Sequence, residues 1–397
     1  MERDELKAWL RLSLSPGIGN VTARKLLGCF GMPQAIFEQT APALRQVATP
    51  VQTQSLRTEP AALPELLETT WAWLNQTEVN GCRRQVLTLG DTGYPQALLD
   101  LDDPPLMLYL LGVASFDEKR ATSAPWSVTS QRCLAIVGSR NPTPQGAANA
   151  RQFAKTMVQA GLTVVSGLAL GVDGAAHAGA LEGLTEDATD LPATIAVIGT
   201  GLDRVYPKAH HGLAHRIAQH GLLLSEYPLG TPPLNANFPK RNRLIAGLAR
   251  GTLVVEAALQ SGSLITARLT AEQGKDVFAI PGSIHAAQSR GCHALIKQGA
   301  KLVETAQDVL EELQGFSALS VTAEAALMSA DTPDDKRTTD VDALLLQALG
   351  FDPVGLDALQ GRTQLVTADL QAQLMTLEIK GLVARLPGGL FQRLSAA

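Results

Sequence analysis

The densest chemistry in the sequence is the run Asn237-Phe238-Pro239-Lys240-Arg241-Asn242-Arg243, where three cations and an amide stand beside an aromatic ring. Such a set suits a single strand of nucleic acid: phosphates pair with the charges while an unpaired base stacks on the ring. A charged surface turn is the plainer reading. However, charged residues make up only 18% of this chain, below the roughly 25% of an ordinary protein, so a cationic knot carries weight. A second set is Ala135-Ile136-Val137-Gly138-Ser139-Arg140. Here a buried strand ends in a turn where Gly138 lets backbone N–H groups approach a phosphate, Ser139 offers a hydroxyl, and Arg140 can grip an anion bidentately. An ordinary tight turn with a surface arginine explains the same residues equally well, and the pattern is not the GxGxxG of dinucleotide sites. The third set is Ser261-Gly262-Ser263-Leu264-Ile265-Thr266, which follows the apolar run 252–256 and opens a helix. A helix start with small hydroxyl residues is an anion site. It is also a place for plain N-capping, and the two roles are compatible.

Other candidate groups point less clearly to chemistry. Val164-Val165-Ser166-Gly167 precedes Gly171-Val172-Asp173-Gly174-Ala175-Ala176-His177, where Asp173 and His177 share a helix face. They form either a metal or acid–base pair or a cap that pins the helix start; with no third ligand at spacing, the cap is expected. His210, His211, His215 and His220 fall on one predicted helix, expected to be a solvated face. Glu256 is the one acid at a strand end placed for acid–base work. No GxSxG, Walker A lysine or Cys–His signature accompanies it, so no catalytic set, metal or cofactor is expected.

These residues need elements to position them. From residue 132, short apolar runs at 134–137, 163–166, 194–198, 222–225, 252–256 and 277–280 alternate with helical patterns. That alternation predicts an α/β fold over 132–313, a doubly wound, mostly parallel sheet with helices on both faces. In such sheets ligands bind beyond the carboxyl ends of the strands, where all three sets fall. Residues 1–75 read as a small all-α domain. Its Leu14-Ser15-Pro16-Gly17-Ile18-Gly19-Asn20 is similar to a helix-hairpin-helix, with phosphate contact and simple packing both open. Residues 76–131 read as a connecting segment and the start of the core, with 114–131 a polar surface loop. Residues 314–338 read as a linker. Residues 339–397 read as helices followed by strand–turn–strand, a winged helix. Its presumed recognition helix, 367–380, carries Asp369, Glu378 and a single Lys380 beside Gln371 and Gln373. A protein-contact or packing role is expected there rather than duplex reading.

The bulk numbers exclude several classes. At 397 residues and 45% hydrophobic, the chain can bury a sizeable core. No apolar run approaches the roughly 20 residues of a membrane helix, and the charged start is not a signal peptide. The four scattered cysteines fit a reducing, cytoplasmic setting without zinc or disulfides. A net charge of −5 argues against a surface coated for duplex DNA, though not against a locally basic pocket.

Taken in order, the Val-Gly-Ser-Arg turn, the Ser166–His177 stretch, Ser225-Glu226-Tyr227-Pro228, the Phe238–Arg243 run, the Ser-Gly-Ser-Leu-Ile-Thr-Ala loop and Pro281-Gly282-Ser283 resemble the DNA-processing protein A (DprA/Smf) family, from about Tyr94 through Leu313. The resemblance implies a non-enzymatic protein that binds single-stranded DNA, helps load the RecA recombinase in natural transformation and homologous recombination, and forms a homodimer through the Rossmann-like core; 284–297 is the segment expected at that contact. It further implies phosphate contacts at Gly138, Ser139 and Arg140, and a basic wall of Lys240, Arg241, Asn242 and Arg243 with Phe238 as a stacking partner. Ser261, Gly262, Ser263 and Thr266 become a helix-start phosphate site, with Gly167 on the floor. The polar stretch 114–131 and the acidic loop 182–191 look like insertions. The rival reading is a Rossmann-like nucleotide phosphoribohydrolase using Glu256, although the Pro-Gly-Gly-x-Gly-Thr run of such enzymes is missing and the cationic knot goes unexplained.

Overall fold

The computed structural model describes residues 1–76, 81–116, 126–127, 130–185, 192–313, 340–351 and 353–394. The chain divides into two compact units. One comprises Met1–Ala135, Val165–Leu168 and Glu186–Arg250; the other comprises Ile136–Val164, Ala169–Thr185 and Gly251–Ala397.

The elements run in order α1 (Arg3–Leu14), α2 (Asn20–Phe30), α3 (Pro33–Phe37), α4 (Ala41–Leu44), α5 (Pro50–Arg57), α6 (Leu63–Leu74), β1 (Arg83–Thr88), α7 (Gln96–Leu99), β2 (Met107–Gly112), β3 (Ala114–Ser115), β4 (Trp126–Ser127), β5 (Cys133–Val137), α8 (Pro144–Gln159), β6 (Thr163–Ser166), α9 (Val172–Glu182), β7 (Thr194–Val197), α10 (His211–His220), β8 (Leu222–Ser225), α11 (Asn237–Leu248), β9 (Gly251–Val254), α12 (Ser263–Glu272), β10 (Asp276–Ala279), α13 (Arg290–Lys297), β11 (Lys301–Leu302) and α14 (Ala306–Glu312). The C-terminal module follows with α15 (Asp340–Leu349), β12 (Val354–Gly355), α16 (Leu356–Thr363), α17 (Thr367–Ile379), β13 (Val383–Leu386) and β14 (Leu390–Arg393).

In the first unit, helices α1 to α6 form the all-α N-terminal part, with Leu6, Trp9, Leu10, Leu26, Ile36 and Leu56 at its centre. Pro at the first helical positions and a Thr49–Gln52 capping box start α5, satisfying N–H groups that the helix itself leaves unpaired. The same unit holds strands in the order β1-β2-β8-β7. β1 and β2 pair antiparallel, as do β2 and β8 with Tyr109 opposite Ser225, while β7 and β8 are parallel. Residues 83–112, which read as a connector with turn signals, thus form sheet. Their turn residues, Asp91 to Pro95 and Asp103 to Pro105, lie between two strands whose near-continuous apolar run in β2 is buried almost throughout. Trp73 of α6 meets the Tyr109 ring edge-on at 6.2 Å, which fastens the helical part to β2.

In the second unit, β9, β10 and β11 run parallel. Val255 N donates to Val137 O at 3.1 Å, continuing the pairing from β9 to the end of β5. β9 is buried at every position, the pattern of a parallel strand covered on both faces. The helix α8 starts at Thr143, whose hydroxyl accepts from Gly146 N, with Pro144 at the first position. It crosses α9 at Gly179, where an added Cβ would strike the Arg151 carbonyl. Among the described residues, no helix is long and apolar enough to cross a membrane.

The C-terminal module is a winged helix. Its three strands run β12-β14-β13, and the β13–β14 hairpin turns at Gly388 and Gly389, both with positive φ. Its own core gathers Leu345, Leu349, Val354, Leu359, Leu370, Leu374, Leu377, Val383 and Phe391. Of the segments singled out as insertions or linker, 117–125, 128–129, 186–191 and 314–339 lie outside the described residues.

The α8–α9 crossing yields a direct test. Gly179→Val places a branched side chain against backbone, and overpacking of that kind costs about 1–3 kcal/mol. Urea unfolding should show that loss; an unchanged midpoint would mean the two helices can separate freely.

Candidate nucleic-acid interface

The first turn of α11 is built around one buried cation. Arg241 is 3% exposed, and its Nη1 donates to Gly167 O at 2.7 Å and to Val197 O at the end of β7. Carbonyls left at the carboxyl ends of β6 and β7 thereby gain a charged donor, and the guanidinium gains the hydrogen bonds without which burial would be prohibitive. Gly167 is required here, since a Cβ would collide with the Arg241 guanidinium. The rest of the turn is tied to the same strand ends. Asn237 Nδ2 donates to Gly199 O at 3.1 Å, and Tyr227 Oη donates to Asn237 O at 3.2 Å. Ser225 Oγ at the end of β8 donates to Thr200 O at 2.6 Å.

This framework sorts the cationic run by direction. Arg241 points inward and serves as a rivet rather than as a wall facing solvent. Arg243 is also spoken for: its Nη2 pairs with the Glu226 carboxylate and lies 3.8 Å from Asp103. Burial pushes the Glu226 carboxyl up, with Arg243 and Lys240 pulling it back down. Asn242 is half-buried. Lys240 is exposed, and of the three cations it is the one turned to solvent. The local sequence could not reveal this, because side-chain direction depends on where α11 meets the sheet.

Phe238 lies half-buried one turn before Arg241, its ring 3.1 Å from where a Cβ on Gly199 would sit. Its outer side meets Tyr206, ring centroids 5.6 Å apart and planes tilted by 36°. Tyr206 is 49% exposed. The two rings form an aromatic step that sequence reasoning missed, since 32 residues of chain separate them. The one available signal was Tyr206-Pro207 in the loop after an apolar strand. Nearby, the His210 ring Nδ1 bonds Leu168 O at 3.0 Å, and His211 and His215 stack at 5.5 Å.

The second unit holds the other two sets. Ser139 O accepts from Val172 N at 3.0 Å and Ser139 Oγ accepts from Asn141 N at 3.1 Å, so this hydroxyl shapes the turn; Arg140 is exposed. Gly138 has no room for a Cβ, with Val172 and the Glu256 carbonyl within 3 Å. At the start of α12, Ser261 and Ser263 hydroxyls are 2.7 Å apart and Ser263 N donates to Ser261 Oγ at 3.3 Å. Gly262 is exposed, whereas Ser263 and Thr266 are buried. Thr266 therefore packs inside α12 rather than lining a surface. Glu256 is engaged: Thr143 N and Thr143 Oγ1 donate to its two oxygens at 2.9 and 2.6 Å. Its carboxyl is raised by burial, with those two bonds lowering it. Asp173 accepts from Ala169 N at 3.2 Å, the pinning role expected of it. Among the described residues, no three His, Cys, Asp or Glu gather to hold a metal.

A mostly parallel α/β scaffold with an aromatic step at its strand ends, followed by a winged helix, defines a Rossmann-like protein. Residues 85–314 match the family described as DNA recombination-mediator protein A, and 329–389 match the DprA winged helix domain; the chain belongs to the DNA recombination-mediator protein A family. It is similar to Protein Smf of Escherichia coli strain K12, 38% identical over 329 residues covering 81% of this chain and 80% of that protein. It is 45% identical over 224 residues to DNA processing protein DprA of Streptococcus pneumoniae, covering 56% of this chain and 72% of the relative. The crystal structure of DprA from that organism superposes with a TM-score of 0.61 at 34% identity, covering 79% of this chain and 98% of that one.

Two outcomes follow from the buried groups. Arg241→Ala orphans two carbonyls and should cost about 3 kcal/mol in urea unfolding, whereas Lys240→Ala should leave stability within about 0.5 kcal/mol; equal effects would contradict the inward–outward sorting. For Glu256, a raised native pKa means the folded state holds the proton more tightly than the unfolded one. Its contribution to stability therefore falls as pH rises from about 4 through the folded value. Glu256→Gln cannot titrate, so its stability relative to the parent protein should improve between pH 4 and pH 8; a pH-independent difference would contradict the shift.

Proposed function

We propose that this protein binds single-stranded DNA without catalysis and acts as a recombination mediator that delivers the strand to the RecA recombinase. The observation that carries the reading is the half-buried Phe238 ring against the exposed Tyr206 ring, with Lys240 exposed two residues further along α11. Unpaired bases offer π-faces to such a step, while paired bases are already stacked and cannot reach it; the exposed Lys240 on the same helix offers a phosphate contact. In the second unit, exposed Arg140, the Gly138-Ser139 turn and the Ser261-Gly262-Ser263 helix start supply phosphate contacts of the kind expected of a guanidinium and a helix N-terminus. Gly167, Arg241 and Arg243 act behind the rings of the first unit, fixing the start of α11, with Asn242 offered as a further contact. Thr266 supports α12 from within.

The non-enzymatic reading gives Glu256 a structural role. Both Glu256 oxygens accept from Thr143 at the start of α8, so the carboxylate ties a strand end to a helix. The family relationship supports action in recombination, and the reading extends to natural transformation in the cytoplasm. A homodimer fits the second unit, where α12, β10 and α13 border a groove of about 770 Å³ lined by Leu259, Ile265, Phe278, Ala294 and Leu295. Leu259 is exposed there. Leu259→Arg should convert a dimer to monomer in sedimentation velocity, and an unchanged mass would place the contact elsewhere.

Fluorescence anisotropy on a labelled oligonucleotide and its duplex tests the main reading. Single strand should be preferred. Phe238→Ala and Tyr206→Ala should each lose about 1–3 kcal/mol of affinity, the worth of one base stack. Lys240→Ala should reduce the slope of log K against log salt by about 0.7, one phosphate fewer. Equal affinity for the duplex would overturn the reading. So would hydrolysis of nucleoside monophosphates that disappears in Glu256→Gln, which should instead leave strand binding unchanged.

A further inference from the structure

The winged helix carries a surface that strand binding in the core does not use. Helix α17 buries Leu370, Leu374 and Leu377 in the module's own core. On the opposite side, Ala368, Ala372, Met375 and Ile379 follow one another at i, i+4, i+7 and i+11, and all four are exposed. Met375 is 64% and Ile379 79% exposed. A helix that is apolar on both sides is one covered on both sides, and an a/d-like spacing is the seam that meets another helix.

The charges around that seam select what covers it. Asp369 borders it on one flank and Glu378 on the other, and both are exposed. The module's cations are turned to its own groups. Arg362 Nη1 donates to Ala348 O at 2.9 Å, Lys380 Nζ donates to Asp342 Oδ2 at 2.6 Å, Arg385 lies 5.8 Å from the Phe391 ring, and Arg393 lies 4.9 Å from the Phe351 ring. Within Thr367–Ile379 the charges bordering the seam are the carboxylates of Asp369 and Glu378. We propose that the outer face of α17 docks a helix of another protein whose apolar seam is bordered by lysine or arginine. The seam supplies the adhesion and the two carboxylates select the partner by sign.

The test uses the full chain and two labelled amphipathic peptides with one leucine seam, flanked by lysines in one and by glutamates in the other. The lysine peptide should bind about tenfold more tightly at low salt, the gap narrowing as salt rises. Met375→Glu with Ile379→Glu should abolish that binding while leaving single-strand affinity in the core intact. Asp369→Lys with Glu378→Lys should reverse the preference between the peptides, which mere stickiness would not do. The proposal is overturned if the two peptides bind alike, if the charge reversal leaves the order unchanged, if duplex DNA is held through these residues, or if the seam variants abolish self-association of the chain.

Discussion

The contact between Arg241 and the carbonyls of Gly167 and Val197 governs the recognition surface of the first unit. Burying a guanidinium is costly unless it gains hydrogen bonds, and here Nη1 donates to two carbonyls at the carboxyl ends of parallel strands. Matching them brings the start of α11 onto the sheet at one angle and leaves no room for a Cβ at Gly167. With Arg241 facing in, helical geometry turns Lys240 out and sets Phe238 on the flank, against Gly199 and Tyr206. One inward charge thus determines how the neighbouring aromatic and cation are displayed.

Charge near this surface is more rationed than its composition implies. The run holds three cations, yet Arg241 satisfies carbonyls and Arg243 satisfies Glu226. Glu226 itself is held where burial opposes its ionisation, and Arg243 beside it offsets that cost. On the proposed reading, stacking on the two rings carries more of the recognition than a count of lysines and arginines implies. That proposed balance suits a chain whose net charge is negative.

The second unit uses polar groups in the same economical way. Thr143 caps α8 and also donates to Glu256, joining a helix start to the residue after β9 by two short hydrogen bonds. Gly146 must lack a side chain for the carboxylate to fit. The winged helix has its own core and turns its cations onto its own carbonyls, rings and carboxylates. It offers a surface of different character, apolar and acid-bordered, to the outside.

The local sequence determined the strands and much of the site's composition. Short uninterrupted apolar runs such as 134–137 and 222–225, set between helical patterns, read as strands covered on both faces, and small hydroxyl residues before 263–272 read as a helix start. Glycines at 138 and 167 marked close approaches, because only absent side chains permit them. The acidic, glutamine-bearing face of 367–379 already argued against duplex reading. Tertiary structure decided the rest. Residues 83–112 became sheet because β8 offered β2 an antiparallel edge, a long-range partner that no local pattern displays. Tyr206 joined Phe238 only when loops far apart in sequence converged at the strand ends. Arg241 changed from expected wall to buried rivet because the direction of a side chain is set by what its helix packs against, and that partner is absent from the local sequence.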